Sequence, residues 1–186
     1  MSEKKQWPRD TTLQVAQEIV SRLAPSCERI AIAGSIRRRK TICHDVEILF
    51  VPRMTTLRDG LFDTKMVSVA DEVIEDLLLG GYFAKRPNKN GVFAWGDKNK
   101  LAVHTASGIP IDFFSTTLDC WFNYLVCRTG SAESNIRIAT AAKAKGWKWA
   151  PYGAGFLNRN GDLVKVGSER DVFDFAGLPY LDPEQR

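Results

Sequence analysis

The chain has 186 residues, 44% hydrophobic and 26% charged, enough for one large domain or two small ones with a real core. No apolar run approaches the ~18 residues that cross a membrane, and Met1-Ser2-Glu3-Lys4-Lys5 has no apolar stretch behind it, so no membrane partner and no secretory leader are expected and the cytoplasm is the expected location. A net charge of +4 permits a phosphate-rich partner without demanding one.

Residues 1–9 read as a loose tail. A helix starts at Asp10 or Thr11, with Thr11 and Gln14 spaced for a capping box; Leu13, Ala16, Ile19, Val20 and Leu23 follow helical spacing, and Pro25 stops it. Ile30 to Ala33 is a short buried strand ending at Gly34-Ser35. A basic loop, Arg37 to Lys40, leads to a second strand from Asp45 to Val51, closed by Pro52. Residues 66–79 form an amphipathic helix ended by Gly80-Gly81. Gly91–Trp95 and Lys100–His104 are expected to pair around the turn Gly96 to Asn99, and Ile111 to Phe114 is a further strand. Residues 117–127 and 131–145 are helices broken at Thr129-Gly130. Aromatic, glycine-rich strands follow around an Asn160-Gly161 turn, where Trp147 and Trp149 are expected to pack, and a last helix opens at Ser168 with Asp171 as its box partner. The pattern is α+β: a strand-rich layer with helices, then a helical part with a small hairpin, divided near residue 116. Cys27, Cys43, Cys120 and Cys127 show no zinc-binding spacing and are read as reduced thiols.

The chemistry lies in the acids. Alternation along a strand puts Asp45 and Glu47 on one face and Val46 on the other. Asp112 is a third acid inside the apolar segment Ile109 to Phe114, where an unpaired carboxylate is costly. Three carboxylates on adjacent strands make a hard oxygen site suited to Mg²⁺ or Mn²⁺; surface acids paired with local arginines are the alternative. Just upstream, Gly34-Ser35 follows a strand and precedes Arg37 and Arg38, exposing backbone N–H groups and cationic side chains of the kind that hold phosphates. A phosphate-binding turn followed by an acid pair is what a nucleoside triphosphate requires.

These residues resemble a known family. Gly34-Ser35-x-Arg37-Arg38, then Asp45-x-Glu47, is similar to the palm of the family X DNA polymerases; Arg128-Thr129-Gly130-Ser131-Ala132-Glu133-Ser134-Asn135 resembles the turn and helix start of that family's next subdomain, and Ser168 to Phe173 with Gly177-Leu178-Pro179-Tyr180 resembles its closing segment. The resemblance implies an α+β nucleotidyltransferase palm over residues 10–116, after a tail at 1–9, and a small α/β thumb over 117–186, like the reduced palm-plus-thumb forms of some viruses and phages. It implies two Mg²⁺ or Mn²⁺ ions held by Asp45, Glu47 and Asp112, which are also the catalytic residues. It assigns nucleotide binding to Gly34, Ser35, Arg38, Cys43, His44, Arg128, Gly130, Ser131 and Asn135, and makes Arg137, Lys143 and Lys148 the candidates for DNA contact. The implied activity is addition of deoxynucleotides to a DNA 3′ end by a monomer, with deoxynucleoside triphosphates and primer-template or gapped DNA as partners. The same fold could instead serve an RNA 3′ end or a small molecule, or survive as a non-catalytic nucleic-acid binder. Glu47 stands where the family usually has aspartate, and Cys127, before Arg128, where many members carry an aromatic pair against the sugar.

Overall fold

The structure, a computed structural model, describes residues 5–59 and 63–186. A two-residue strand β1 (Trp7–Pro8) leads into helix α1 (Arg9–Leu23), followed by β2 (Cys27–Ile32), a helical turn α2 (Gly34–Arg37), β3 (Ile42–Cys43) and β4 (Val46–Pro52). A ribbon of β5 (Met54–Asp59) and β6 (Asp63–Ser68), helix α3 (Val69–Leu79), and strands β7 (Phe83–Lys85), β8 (Asn99–His104) and β9 (Pro110–Ser115) complete this part. Then come α4 (Trp121–Thr129), α5 (Ala132–Ala144), the strands β10 (Trp147–Trp149), β11 (Gly155–Asn158) and β12 (Leu163–Lys165), and α6 (Glu169–Ala176).

The main sheet runs β2-β4-β9-β8-β7. Its central pair, β4 and β9, is parallel and the other pairs are antiparallel, so the fold is α+β with a mixed sheet. Strand alternation gives the sheet two different faces. Val46, Ile48, Phe50, Ile111 and Phe113 point to one side and bury against Val15, Ala16, Ile19 and Leu23 of α1 and Ala70 and Ile74 of α3. Leu49, Val51 and Phe114 point to the other and meet Trp121, Tyr124 and Leu125 of α4. A separate core joins α4, α5 and α6 to the β10-β11-β12 sheet through Val126, Ile138, Trp149, Phe156, Val172 and Phe173. Glu47 and Asp112 belong by alternation to the α4 side, so this division of faces is what positions the acids.

Several elements depart from the sequence expectations. Trp7 and Pro8 are not loose: they pair with Cys43 and Ile42. That pairing sets the start of α1 at Arg9, whose N–H is taken by the Thr41 carbonyl at 2.9 Å, and the Thr11–Gln14 box does not form. The helix expected from residue 66 begins at Val69, because Ser68 caps it by accepting from the Asp71 N–H at 3.1 Å, while Met66 to Ser68 pair with Thr56 to Met54. Gly91–Trp95 does not pair along β8; Phe83 to Lys85 takes that place, leaving single bridges at Pro87–Phe93 and Trp95–Lys100. The strand expected to begin at Asp45 begins one residue later. The helix expected over 131–145 forms at 132–144, and the turn at Asn160-Gly161 and the Ser168 cap form as expected, whereas the helix expected over 117–127 begins only at Trp121, after a 3₁₀ turn over Leu118–Cys120, and runs on to Thr129.

Candidate active site

Glu47 and Asp112 sit directly opposite each other on the parallel pair β4 and β9. Asp45 precedes β4 and lies close enough to both to raise their pKa values. Burial, then the charges of Asp45 and Asp112, push the Glu47 carboxyl up to about 8, against the opposing pull of Arg128 and Arg38. Asp112 is also raised by burial, with Arg86 pulling the other way. Arg86 reaches it from beyond β7: its Nε donates to the Ala102 carbonyl at 3.0 Å and Nη2 donates to Asp112 Oδ1. The Glu47 carboxylate lies against Gly34, where a Cβ would collide with it. Among the described residues no three His, Cys, Asp or Glu side chains converge as a finished ligand set. The donors themselves are nevertheless hard oxygens whose mutual repulsion a divalent cation relieves, so the residues fit such an ion in kind.

The Gly34-Ser35 turn lies beside these acids. Gly34 has φ +62, a conformation that favours glycine, and opens α2. Ser35 Oγ and Arg38 Nε are buried without a partner among the described residues. Arg37 and Arg38 then reach ninety residues along the chain to one residue, Thr129, at the end of α4. Arg37 Nη1 donates to its hydroxyl at 2.6 Å, and Arg38 Nη1 donates to its carbonyl. The Gly34-Ser35 turn is thereby fastened to Thr129-Gly130-Ser131. Gly130 (φ +68) is again a close approach, since a Cβ there would meet Arg38 Nη1 at 3.1 Å. Ser131 caps α5, accepting from the Ser134 N–H at 3.4 Å. Asn135 donates to the Cys127 carbonyl at 2.9 Å and leaves its own Oδ1 buried and unpartnered.

Arg128 sits one residue from Thr129 with its guanidinium 3.6 Å from the Phe114 ring centroid and 5.0 Å from that of Tyr152. It lines a cleft of about 580 Å³ with Phe114, Tyr124 and Tyr152. His44 shares a smaller cavity of about 180 Å³ with Asp45, Arg86 and Lys5, and its Nδ1 lies 3.1 Å from the Lys5 carbonyl. Cys43 is different. Its side chain is fully buried in the core, its thiol toward the Lys40 carbonyl at 3.8 Å, so any phosphate contact there has to come from backbone. Arg137 and Lys143 are exposed on α5 and Lys148 is exposed on β10. Cavity size does not locate the site: two grooves of about 700 Å³ lie elsewhere and contain none of the three acids. Arg86 carries no signal of its own in the sequence, and Thr129 shows there only as part of a turn; Arg37, expected with Arg38 to hold phosphates, is instead engaged by Thr129 and Glu169. The long-range partners that give them roles leave no local signal.

The profile of the DNA polymerase beta thumb family matches residues 124–186. DNA polymerase lambda of Rattus norvegicus is 28% identical over 196 residues, covering 96% of this chain and 32% of that protein. The DNA polymerase/3′-5′ exonuclease PolX of Bacillus subtilis is 26% identical over 185 residues, covering 98% and 29%. The chain is related to the family X DNA polymerases. Its fold agrees: the crystal structure of Leishmania infantum polymerase beta in a ternary P/T complex superposes with a TM-score of 0.73 at 20% identity, covering 98% of this chain and 77% of that one. The chain spans about a third of the length of the family X relatives just named. No described helix is long and apolar enough to cross a membrane.

Proposed function

We propose that this chain is a family X type DNA polymerase unit that adds deoxynucleotides to a DNA primer 3′ end, releasing pyrophosphate, in repair or gap filling. The observation that carries the reading is the juxtaposition of two turns and an acid pair. Glu47 and Asp112 stand side by side on β4 and β9, and the Gly34-Ser35 turn beside them is fastened through Thr129 to Gly130-Ser131. On this reading residues 10–116 are the palm and 117–186 the thumb, the protein acts as a monomer, and the cytoplasm is its place.

Asp45, Glu47 and Asp112 would hold two Mg²⁺ or Mn²⁺ ions. Bound there, such ions lower the pKa of the attacking hydroxyl and neutralise charge on the leaving phosphates. The chain's own groups do the rest. Ser35 Oγ and Arg38 Nε, buried without partners, offer hydrogen bonds to phosphate oxygens. Gly34 leaves room for backbone to approach the triphosphate. Gly130, Ser131 and Asn135 face the sugar and base from the α5 side, and Arg128 adds fixed positive charge next to the acids. His44, and Cys43 through its backbone, flank the phosphates. Arg137, Lys143 and Lys148 meet the DNA backbone. Rate enhancement then comes from positioning and preorganised charge.

Extension of a labelled primer tests this, on matched template, gapped duplex, single strand and RNA primer, each with Mg²⁺ or Mn²⁺. Metal-dependent addition to the DNA primers supports the reading. Addition only to the RNA primer, or to none, rejects it.

A further inference from the structure

The cavity of about 180 Å³ beside the acids is lined by Lys5, Trp7, His44, Asp45, Arg86 and Pro110. One wall is the N-terminal segment, which the sequence presents as a loose tail. Three contacts hold that wall. Trp7 packs against the core and pairs with Cys43, and His44 Nδ1 lies 3.1 Å from the Lys5 carbonyl, which ties the segment to the loop carrying Asp45. The exposed Lys5 side chain places Nζ 5.4 Å from the Trp7 ring centroid, and a Cβ on Gly108 would lie 3.8 Å from it, over the turn between β8 and β9. Among the described residues no carboxylate pairs with this ammonium. Arg86 brings a second cation. Its Nε donates to the Ala102 carbonyl, Nη1 to the Pro87 carbonyl and Nη2 to Asp112, which leaves one N–H on each amino group.

Sheet order gives this cavity a direction. Along β2-β4-β9-β8-β7, the Gly34-Ser35 turn follows β2 and lies against Glu47, whereas Arg86 follows β7 and reaches back across β8 to Asp112. The phosphate turn and the Arg86 side of the cavity therefore flank the acid pair from opposite directions. In nucleotidyl transfer the 3′ oxygen attacks phosphorus in line with the departing pyrophosphate, so the strand that carries it arrives opposite the triphosphate tail. We propose that this cavity seats the phosphodiester nearest the primer 3′ end, held by Lys5 and Arg86, and that the N-terminal segment is a DNA-binding element of the site. This inference rests on the function proposed above. Asp45 in the same wall repels an anion, but on that reading its charge is neutralised by the metal ions.

Arg86 also touches Asp112, so the test is made at Lys5, with Lys5→Gln to remove the charge and Lys5→Arg to keep it. Binding of gapped DNA is followed by fluorescence anisotropy at several salt concentrations. The DNA carries a single uncharged methylphosphonate linkage, moved stepwise along the primer and template strands. Lys5→Gln is expected to weaken DNA binding roughly tenfold and to lower the slope of log affinity against log salt by about one, as loss of one phosphate contact does. Lys5→Arg should do neither. Affinity of the DNA-bound protein for a non-hydrolysable deoxynucleotide with Mg²⁺ should stay within about twofold in both. A methylphosphonate at the last primer linkage should weaken wild-type binding, and weaken Lys5→Gln much less, because the two changes remove the same contact. Wild-type DNA affinity in Lys5→Gln overturns the inference. So do losses that simply add at that linkage, coupling to a template linkage instead, or a loss of nucleotide affinity in place of DNA affinity. A wild-type protein that extends no primer instead overturns the polymerase reading on which the inference stands.

Discussion

At the scale of the residue, the site is defined by what a side chain would displace. A methyl group at position 34 would collide with the Glu47 carboxylate and would also have to tolerate φ +62. The left-handed conformation alone costs a side chain roughly 1–2 kcal/mol. Gly34→Ala is therefore expected to weaken nucleotide binding severely while the melting temperature falls only a few degrees, as nucleotide titration and calorimetry will show. Asn123 makes the opposite case, a residue that matters for stability and not for chemistry. It is fully buried, donates to the carbonyls of Ala150 and Gly153 (2.9 Å to the latter), and accepts from Trp149 Nε1 at 2.6 Å. Asn123→Ala strands those groups. We expect a loss of roughly 3 kcal/mol, or a melting temperature lower by roughly 10 °C, with nucleotide affinity retained in the folded fraction. A melt within a degree of wild type would contradict the role given to this network.

At the scale of the element, sequence periodicity finds structure where one face is buried and misses it elsewhere. The helices α1, α4 and α5 and the strands β4 and β9 were legible because apolar residues recur on the face that meets a neighbour. The β5–β6 ribbon was not. Met54, Leu57 and Met66 are all about half exposed, so neither face carries the alternation that marks a strand packed on a core. The four residues of α2 are too few to show a helical period, so only a turn is legible there. The acid pair was legible from its two-residue spacing, and the register Glu47–Asp112 gives that spacing its partner. Arg86 on Asp112 and Arg37 on Glu169 were not legible, because contacts between distant elements leave no mark in local sequence. In the small sheet, Gly155 lies so close to the Val164 carbonyl that any Cβ would overlap it. Gly155→Ala should force β11 and β12 apart at a cost of roughly 1–3 kcal/mol. Hydrogen exchange should then show lost protection in those strands while β4 and β9 keep theirs.

At the scale of the whole molecule, the main sheet and the C-terminal core are joined by α4, which packs on both, and by charge near α2, where Arg37 meets Glu169 at 2.5 Å and Arg186 meets the same carboxylate at 2.9 Å. Besides Arg37 and Glu169, Arg39 meets Glu184 at 2.8 Å, though both of these are exposed and contribute little. Burial alone would raise the Glu169 carboxyl, but hydrogen bonding to Arg37 and the charges of Arg37 and Arg186 outweigh it and hold it below its ordinary 4.5. The sign follows from linkage. A carboxyl with a depressed folded-state pKa contributes stability that is present above about pH 4.5 and is lost as pH falls through the lower, folded-state value. Glu169→Gln should therefore be less stable than wild type at pH 7 and converge toward it in acid. Denaturation curves at several pH values check this, and a constant difference between the two proteins at all pH values would show that the carboxylate is not the linking group.

The central claim is that the acids of β4 and β9 and the turn beside them form one nucleotidyl-transfer site on a chain related to family X polymerases. The most direct test is primer extension on gapped DNA by the wild-type chain and by Asp112→Ala, each with Mg²⁺ and again after chelation, with folding of both proteins verified by circular dichroism. The expected result is metal-dependent addition by wild type, stopped by chelator, and a loss on the order of a thousandfold or more in the folded variant, since Asp112 would hold the ion that activates the hydroxyl. Retention of more than a few per cent of wild-type activity by folded Asp112→Ala would contradict the account.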